Sequence, residues 1–354
     1  MLKERLESYK KLEELRKSKL IVYVTGDRPS AETSIAADSL PPFVNHLDLL
    51  GDVDKISLFL YSTGGSILAG WSLVNLIRSF CKDFEIIVPF RCQSTATLMC
   101  LGANRIVMTK QGTLGPIDPS TNGLMNPQIV FNGQNIRVPV SVEQVNGFVE
   151  MAKSLGITQP DNLKEIYLKL MDQIHALSLG DVFRTRSQIK MLAEKLLKHH
   201  KIDPKNVEKV INFLCSQSGS HDYTIYRKEA KEDLGLEIEK PNDELYEVIR
   251  GVYQDIESEM DLRSPFNPNI LLATKNPFTY SLRRVLIETI QGGCDVFLSE
   301  GTLTKQALPN GQSALQDLRS FEGWKHEVPP PSTPLTTPVP VPLVQATPQP
   351  NATK

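Results

Sequence analysis

Leu58-Phe59-Leu60-Tyr61-Ser62-Thr63-Gly64-Gly65-Ser66 is an apolar run that stops at a polar turn holding two adjacent glycines. Pro89-Phe90-Arg91-Cys92-Gln93-Ser94-Thr95-Ala96-Thr97-Leu98-Met99 repeats the plan, with a serine where the first stretch has glycine. Each reads as strand, turn, helix. Between and around them the same alternation continues. Residues 55–62 form a strand, and 66–80 a helix with Leu68, Trp71, Val74, Ile77 and Phe80 on one face. Strand 84–90, short helix 95–103 and strand 104–109 follow, after an earlier strand at 20–25. Strands and helices alternating at short intervals predict a parallel sheet built from βαβ units. The nearly continuous apolar runs KISLFLYS and FEIIVPF predict a sheet covered on both faces.

Outside this centre the pattern changes. Residues 2–18 carry Leu2, Leu6, Tyr9, Leu12 and Leu15 at helical spacing on a charged background. Such a helix either docks on its own domain or serves self-association, and the sequence leaves both open. Pro41-Pro42 breaks or starts a helix. Residues 142–218 turn helical, another helix covers 243–260, and 270–307 mix strand and turn. Nine of the chain's 24 prolines fall between Pro329 and Pro350, which predicts an extended tail with little to bury. The expected organisation is an N-terminal helix over 1–19, a main domain over 20–265, an extension over 266–320 and a disordered Pro-rich tail over 321–354.

Composition narrows the function. With 354 residues the chain exceeds what one well-buried core needs, and a net charge of −2 gives no basic surface for nucleic acid. No apolar run reaches the ~20 residues of a membrane span. The N-terminus lacks a secretory apolar stretch, and the scattered cysteines 81, 92, 100, 215 and 294 point to reduced thiols and a cytoplasmic setting. Cys92, though close to Ser94, reads as packing. Neither a metal constellation, nor a phosphate loop, nor a dinucleotide glycine series is present, so no cofactor is expected.

Two glycines at the end of a buried strand let main chain approach a ligand closely and free an N–H for an oxyanion. Ser94 ahead of TATLMCLGA fits a helix N-cap, the commoner use of such a serine, or a nucleophile at the positive helix end with the Thr95 N–H beside it. A serine hydroxyl also needs a base. His199 and His200 close a lysine-rich helix, where the dipole accounts for them, while His46, His175 and His326 lie outside the motif region.

The combined order is what discriminates. Ser62-Thr63-Gly64-Gly65-Ser66, then Ala69-Gly70, Gln93-Ser94-Thr95-Ala96-Thr97-Leu98, Leu101-Gly102-Ala103, Arg105-Ile106-Val107-Met108 and Leu114-Gly115-Pro116-Ile117-Asp118-Pro119 resembles the serine dehydrogenase proteinase family. The likeness returns at Ser220-His221-Asp222-Tyr223-Thr224-Ile225, Arg227, Glu229-Ala230 and Leu234-Gly235-Leu236. That family is related to signal-peptide peptidase A and the Clp proteolytic subunit, and shares the fold of that subunit and of the crotonases. The resemblance implies a Clp/crotonase-like α/β fold of stacked βαβ units with added helices. It implies a serine peptidase acting on peptide or protein substrates as a homo-oligomer. Ser94 would be the nucleophile, Gly65 and Thr95 the oxyanion N–H donors, and Gly64, Gly115 and Pro116 the groove. The base would come from Lys110, near the place of the Clp histidine, or from His221 and Asp222. An acyl-CoA enzyme of the crotonase type and a non-catalytic oligomeric scaffold are the alternatives.

Overall fold

The computed structural model describes residues 2–327, apart from 118, 119, 122, 132, 201, 218, 219, 221 and 308–312. Its frame is a mixed α/β sheet of eight strands. In spatial order these are Ile238–Glu239, Arg105–Met108, Cys81–Val88, Val53–Tyr61, Lys19–Thr25, Phe278–Thr289, Gly293–Ala307 and Ser313–Glu327. The first five run parallel and the last three antiparallel. Helices Ile67–Arg78 and Thr95–Leu101 connect successive parallel strands, which are the βαβ units expected from the alternation.

Both faces of the parallel half are covered, as its continuous apolar strands require. Because side chains alternate along a strand, Ile21, Tyr23, Leu58, Leu60 and Ile86 enter one core. Helices Leu40–Leu50, Ile67–Arg78 and Thr95–Leu101 close that core with Phe43, Leu47, Leu73, Ile77 and Leu98. Leu20, Val22, Phe59, Tyr61 and Ile87 face the other way, against helices Leu2–Arg16 and Asp243–Glu259. Pro41 and Pro42 occupy the first turn of helix Leu40–Leu50, where a missing N–H costs nothing, so they start that helix.

The N-terminal helix is docked on its own fold. Leu2, Tyr9 and Leu12 are buried, Arg5 is buried with them, and Arg16 is half-buried at the end of the helix. Arg5 holds Glu288 at 2.6 Å and Arg16 holds Glu85 at 2.7 Å, and neither carboxylate is exposed. The helical region expected from 142 resolves into Val142–Ser154, Pro160–Gln173, Ala176–Leu197 and Pro204–Asn212.

Two expected boundaries fall inside the sheet. Residues beyond 265 form no separate extension, because strand Phe278–Thr289 pairs with Lys19–Thr25 and carries two further strands. Strand Ser313–Glu327 likewise continues past residue 321, where the tail was expected to begin. Residues 328–354 lie outside the described residues.

Candidate active site

The two motif turns meet at the carboxyl ends of the parallel strands. Ser62 N–H donates to the Arg91 carbonyl at 3.0 Å, and Gln93 N–H donates to the Ser62 carbonyl at 3.0 Å. Arg91–Cys92 also pairs in parallel with Thr113–Leu114, which pairs antiparallel with Ile225–Tyr226. A small three-stranded sheet therefore gathers the glycine turn, the serine turn and the Gly115 turn at one place.

Ser94 has φ 52° and ψ −117°, a conformation that costs an L-residue about 1–3 kcal/mol. The neighbours enforce it: Thr95, Ala96, Thr97 and Leu98 are fully buried, so the helix cannot rotate to relax the turn. Ser94 takes the N-cap position through its carbonyl, which accepts from Leu98 N–H at 3.0 Å. Its side chain makes no capping bond. The hydroxyl thus stands at the positive end of the helix without serving it. A sharp strand-to-helix turn of this kind is the device by which hydrolases expose a nucleophile.

Gly64 and Gly65 are shaped by Ile35. The Gly64 carbonyl accepts from Ile35 N–H and Ser66 N–H donates to the Ile35 carbonyl, both at 2.8 Å. In a trans peptide the C=O and the following N–H point in opposite directions, so the Gly65 N–H is turned away from Ile35. A Cβ on Gly65, at φ 146°, would lie 2.3 Å from the Ile35 oxygen. One on Gly64, at φ 118°, would lie 2.7 Å from Ser94 Cβ and 3.1 Å from Ser94 Oγ. Both positions need glycine, one for the turn and one for the serine. Ser62 Oγ braces the loop, accepting from Gly64 N–H at 3.0 Å and from Thr25 Oγ1 at 2.7 Å. Thr95 Oγ1 donates to the Gly65 carbonyl at 2.7 Å and ties the two turns together. Among the described residues, neither the Gly65 nor the Thr95 N–H has an acceptor.

Gly115 and Pro116 are buried beside this centre. Gly115 N–H donates to Thr97 Oγ1 at 3.0 Å, and a Cβ there would meet Gln93 at 3.3 Å. The candidate bases are arranged differently. Lys110 is exposed, and its ammonium rests 4.5 Å above the Tyr246 ring. Tyr246 belongs to helix Asp243–Glu259 on the second face, so Lys110 is directed away from the helix that bears Ser94. Asp222 is exposed, with its N–H on Ser220 Oγ at 3.2 Å, and His221 lies outside the described residues. Register nevertheless brings this segment close. Cys92, Leu114 and Ile225 are aligned across the small sheet, so stepping on from Cys92 and back from Ile225 leads to the same end. At ~4.8 Å per strand, Ile225 lies about 10 Å from Cys92 across the small sheet.

Two contributors carry no signal in the sequence. Ile35 acts through main chain alone, in a segment without periodicity. Asp27 links Tyr61, whose hydroxyl donates to it at 2.7 Å, to Arg91 at 2.6 Å, and so fixes the entry to the serine turn. The histidines expected outside the site prove structural. His200 is buried, with Nδ1 2.8 Å from the Ala103 carbonyl and Nε2 accepting from Glu237 N–H at 2.7 Å; internal hydrogen bonding, not the helix dipole, accounts for it. His46 is buried between Thr289 at 2.8 Å and Asp295 at 3.0 Å. That hydroxyl–imidazole–carboxylate set imitates a catalytic triad, yet Thr289 is only 1% exposed and accepts from Gly292 N–H. It offers a substrate no access.

No family model matches the chain. It is 26% identical over 185 residues to one uncharacterised protein of Methanocaldococcus jannaschii, covering 52% of this chain and 53% of the relative. A second uncharacterised protein of that organism is 23% identical over 205 residues, covering 57% and 56%. The chain therefore spans about half the length of the curated relatives it matches. Among solved structures it is similar to a point mutant of the 1510-N membrane-bound stomatin-specific protease, with TM-score 0.37 and 15% identity over 65% of this chain and 85% of that one. No described helix is long and apolar enough to cross a membrane.

Proposed function

We propose that the chain is a serine peptidase of the Clp/crotonase type. Ser94 Oγ attacks the substrate carbonyl, and the Gly65 and Thr95 N–H groups hold the oxyanion that forms. The observation that supports this reading is the Ser94 turn itself: a strained backbone at a helix tip, whose hydroxyl makes no capping bond and faces Gly64. Strain of this sort persists only where surrounding structure imposes it, and it concentrates at working sites. The base is His221 or Asp222, a few residues before strand Ile225–Tyr226 in sequence. The orientation of Lys110 onto Tyr246 speaks against a lysine base.

The same reading includes self-assembly and a reducing cytoplasmic setting. Helix Pro160–Gln173 buries none of its residues although Tyr167, Leu168 and Met171 are exposed on it, and Val130 and Phe131 are exposed on a hairpin nearby in sequence. Apolar surface of this extent is what an interface between copies would cover. All five cysteines are free thiols.

A fluorophosphonate probe tests the chemistry. Wild type is expected to label at Ser94, and Ser94→Ala to stay folded and unlabelled. Equal labelling of both removes Ser94 from the mechanism, and labelling of neither favours the scaffold alternative.

A further inference from the structure

A second feature lies on the face of the sheet away from Ser94. Helix Asp243–Glu259 sets Tyr246, Arg250 and Tyr253 on one side at spacings of four and three, and Phe90 closes the opposite wall. The cleft between them has a volume of about 130 Å³ and also takes in Gln254 and Arg263. Two of its lining rings, Phe90 and Tyr253, pack with the buried ring of Tyr61 behind them. Tyr61 and Phe90 have centroids 6.4 Å apart, Tyr61 and Tyr253 5.4 Å, and Phe90 and Tyr253 5.8 Å. Tyr246 is fixed in place, its hydroxyl accepting from Gln111 Nε2 at 2.7 Å and its ring lying under Lys110. Nothing in the reading of Ser94 uses this cleft.

We propose that the cleft binds the proline-rich segment Val328–Lys354 of the same chain. Three observations converge on that occupant. The first is ligand chemistry. The segment holds nine prolines, including Pro331-Ser332-Thr333-Pro334 and Pro338-Val339-Pro340-Val341-Pro342. Sequences of this kind favour the polyproline II helix, whose rings dock between aromatic side chains. Proline supplies carbonyl acceptors and no N–H donor. Among the polar side chains of the cleft, Arg250 and Gln254 offer donors that match that inventory, while Arg263 is paired with Glu257 at 2.9 Å and Gln111 Nε2 is engaged by Tyr246.

The second is charge. From Val328 to Thr353 the segment has no ionisable side chain, so the cations around the cleft neither repel it nor need neutralising. The third is reach. Glu327, the last described residue, accepts from Arg283 at 2.7 Å, and Arg283 lies 3.4 Å from Glu259 at the end of the very helix that lines the cleft. Along that helix Tyr253 is about 9 Å from Glu259 and Tyr246 about 20 Å. Strand Ser313–Glu327 stands five places from strand Cys81–Val88 in the sheet, about 24 Å at ~4.8 Å per strand, and at ~3.1 Å per residue about eight residues span that distance, which brings the Pro338–Pro342 run within reach of the rings.

The full chain, labelled with carbon-13 proline, tests this by NMR against a synthetic peptide of residues 328–354. The expected result is a set of tail proline signals shifted and broadened from their positions in the free peptide, independent of protein concentration. Tyr246→Ala is expected to lower the ratio of docked to free signal about tenfold, the scale of losing one aromatic contact. Gln254→Ala, an exposed helix position, serves as a second variant, and circular dichroism checks that each is folded. Tail signals that coincide with the free peptide in wild type overturn the proposal. So do shifts that survive both substitutions, or shifts that grow with protein concentration, which would put the segment in another copy's cleft.

Discussion

The Thr95 hydroxyl donates to the Gly65 carbonyl at 2.7 Å, which is, among the described residues, the side-chain bond between the helix that follows Ser94 and the turn that supplies the facing amide. The bond fixes the peptide after Gly65, while Ile35 fixes the peptide before it, so the Gly65 N–H has little freedom to turn. Thr95→Val keeps the shape and deletes this tie. Loss of one hydrogen bond costs about 1 kcal/mol of stability, whereas misplacing a reacting group by an ångström costs about a hundredfold in rate. The probe's labelling rate at Ser94 is expected to fall tenfold or more on that basis, with only a small drop in melting temperature. An unchanged rate would show that Thr95 plays no part in positioning.

Gly64→Ala separates the turn from the nucleophile. The new methyl would stand 2.7 Å from Ser94 Cβ at a backbone φ of 118°, so either the serine or the loop must move. Labelling is expected to vanish while thermal unfolding remains cooperative, because the strands beneath the turn are untouched. Gly65→Ala drives its methyl into main chain of Ile35, 2.3 Å from its oxygen, and should cost more stability than Gly64→Ala. Calorimetry on the two variants gives the order.

His200 predicts how stability responds to pH. Burial lowers its pKa below the usual value near 6.5, although the bond to the Ala103 carbonyl opposes the shift. The unfolded chain then takes up a proton before the folded chain does. This contribution is complete above pH 6.5 and is lost as pH falls toward the folded-state value, at up to about 1.4 kcal/mol per pH unit. Denaturant unfolding at pH 7.5 and 5.5 should show wild type losing about 1 kcal/mol more than His200→Gln. Equal losses would mean the ring is protonated in the fold.

Glu85 is held by several donors at once. Burial pushes its carboxyl up, but Arg16, Lys55 and Ser57 outweigh that and leave it below its ordinary value. Its stabilisation is present above the unfolded pKa near 4.3 and disappears as pH falls below it. Glu85→Gln should cost about 3 kcal/mol at pH 7, because the Arg16 guanidinium loses its buried partner. A urea titration showing less than 1 kcal/mol would contradict this.

Much of the centre was legible because its physics is local. Apolar runs such as Leu58–Tyr61 have no place but a doubly covered strand, and the glycine pair and Ser94 mark turns by residue type alone. The antiparallel half was harder. Phe278–Thr289 includes Arg283 and Arg284 amid its apolar residues, and partners distant in sequence, Glu259 and Glu327 for one and Glu322 for the other, make those charges acceptable in a sheet. The role of Ile35 leaves no trace in its side chain. Arg5 and Arg16 read as solvent-facing residues of an amphipathic helix, since their counter-charges are far along the chain. Lys110 follows its strand as expected by analogy, but tertiary packing gives it Tyr246 as a neighbour instead of the serine.

The opening helix is, in effect, a strip of counter-ions laid over the sheet, with Arg5 matched to Glu288 and Arg16 to Glu85. A protein trimmed to begin at the first strand would leave Glu288 in a dry interior without Arg5, and Glu85 with Lys55 but without Arg16. Such a shortened form should accumulate as aggregate, because the helix is part of the interior's electrical neutrality.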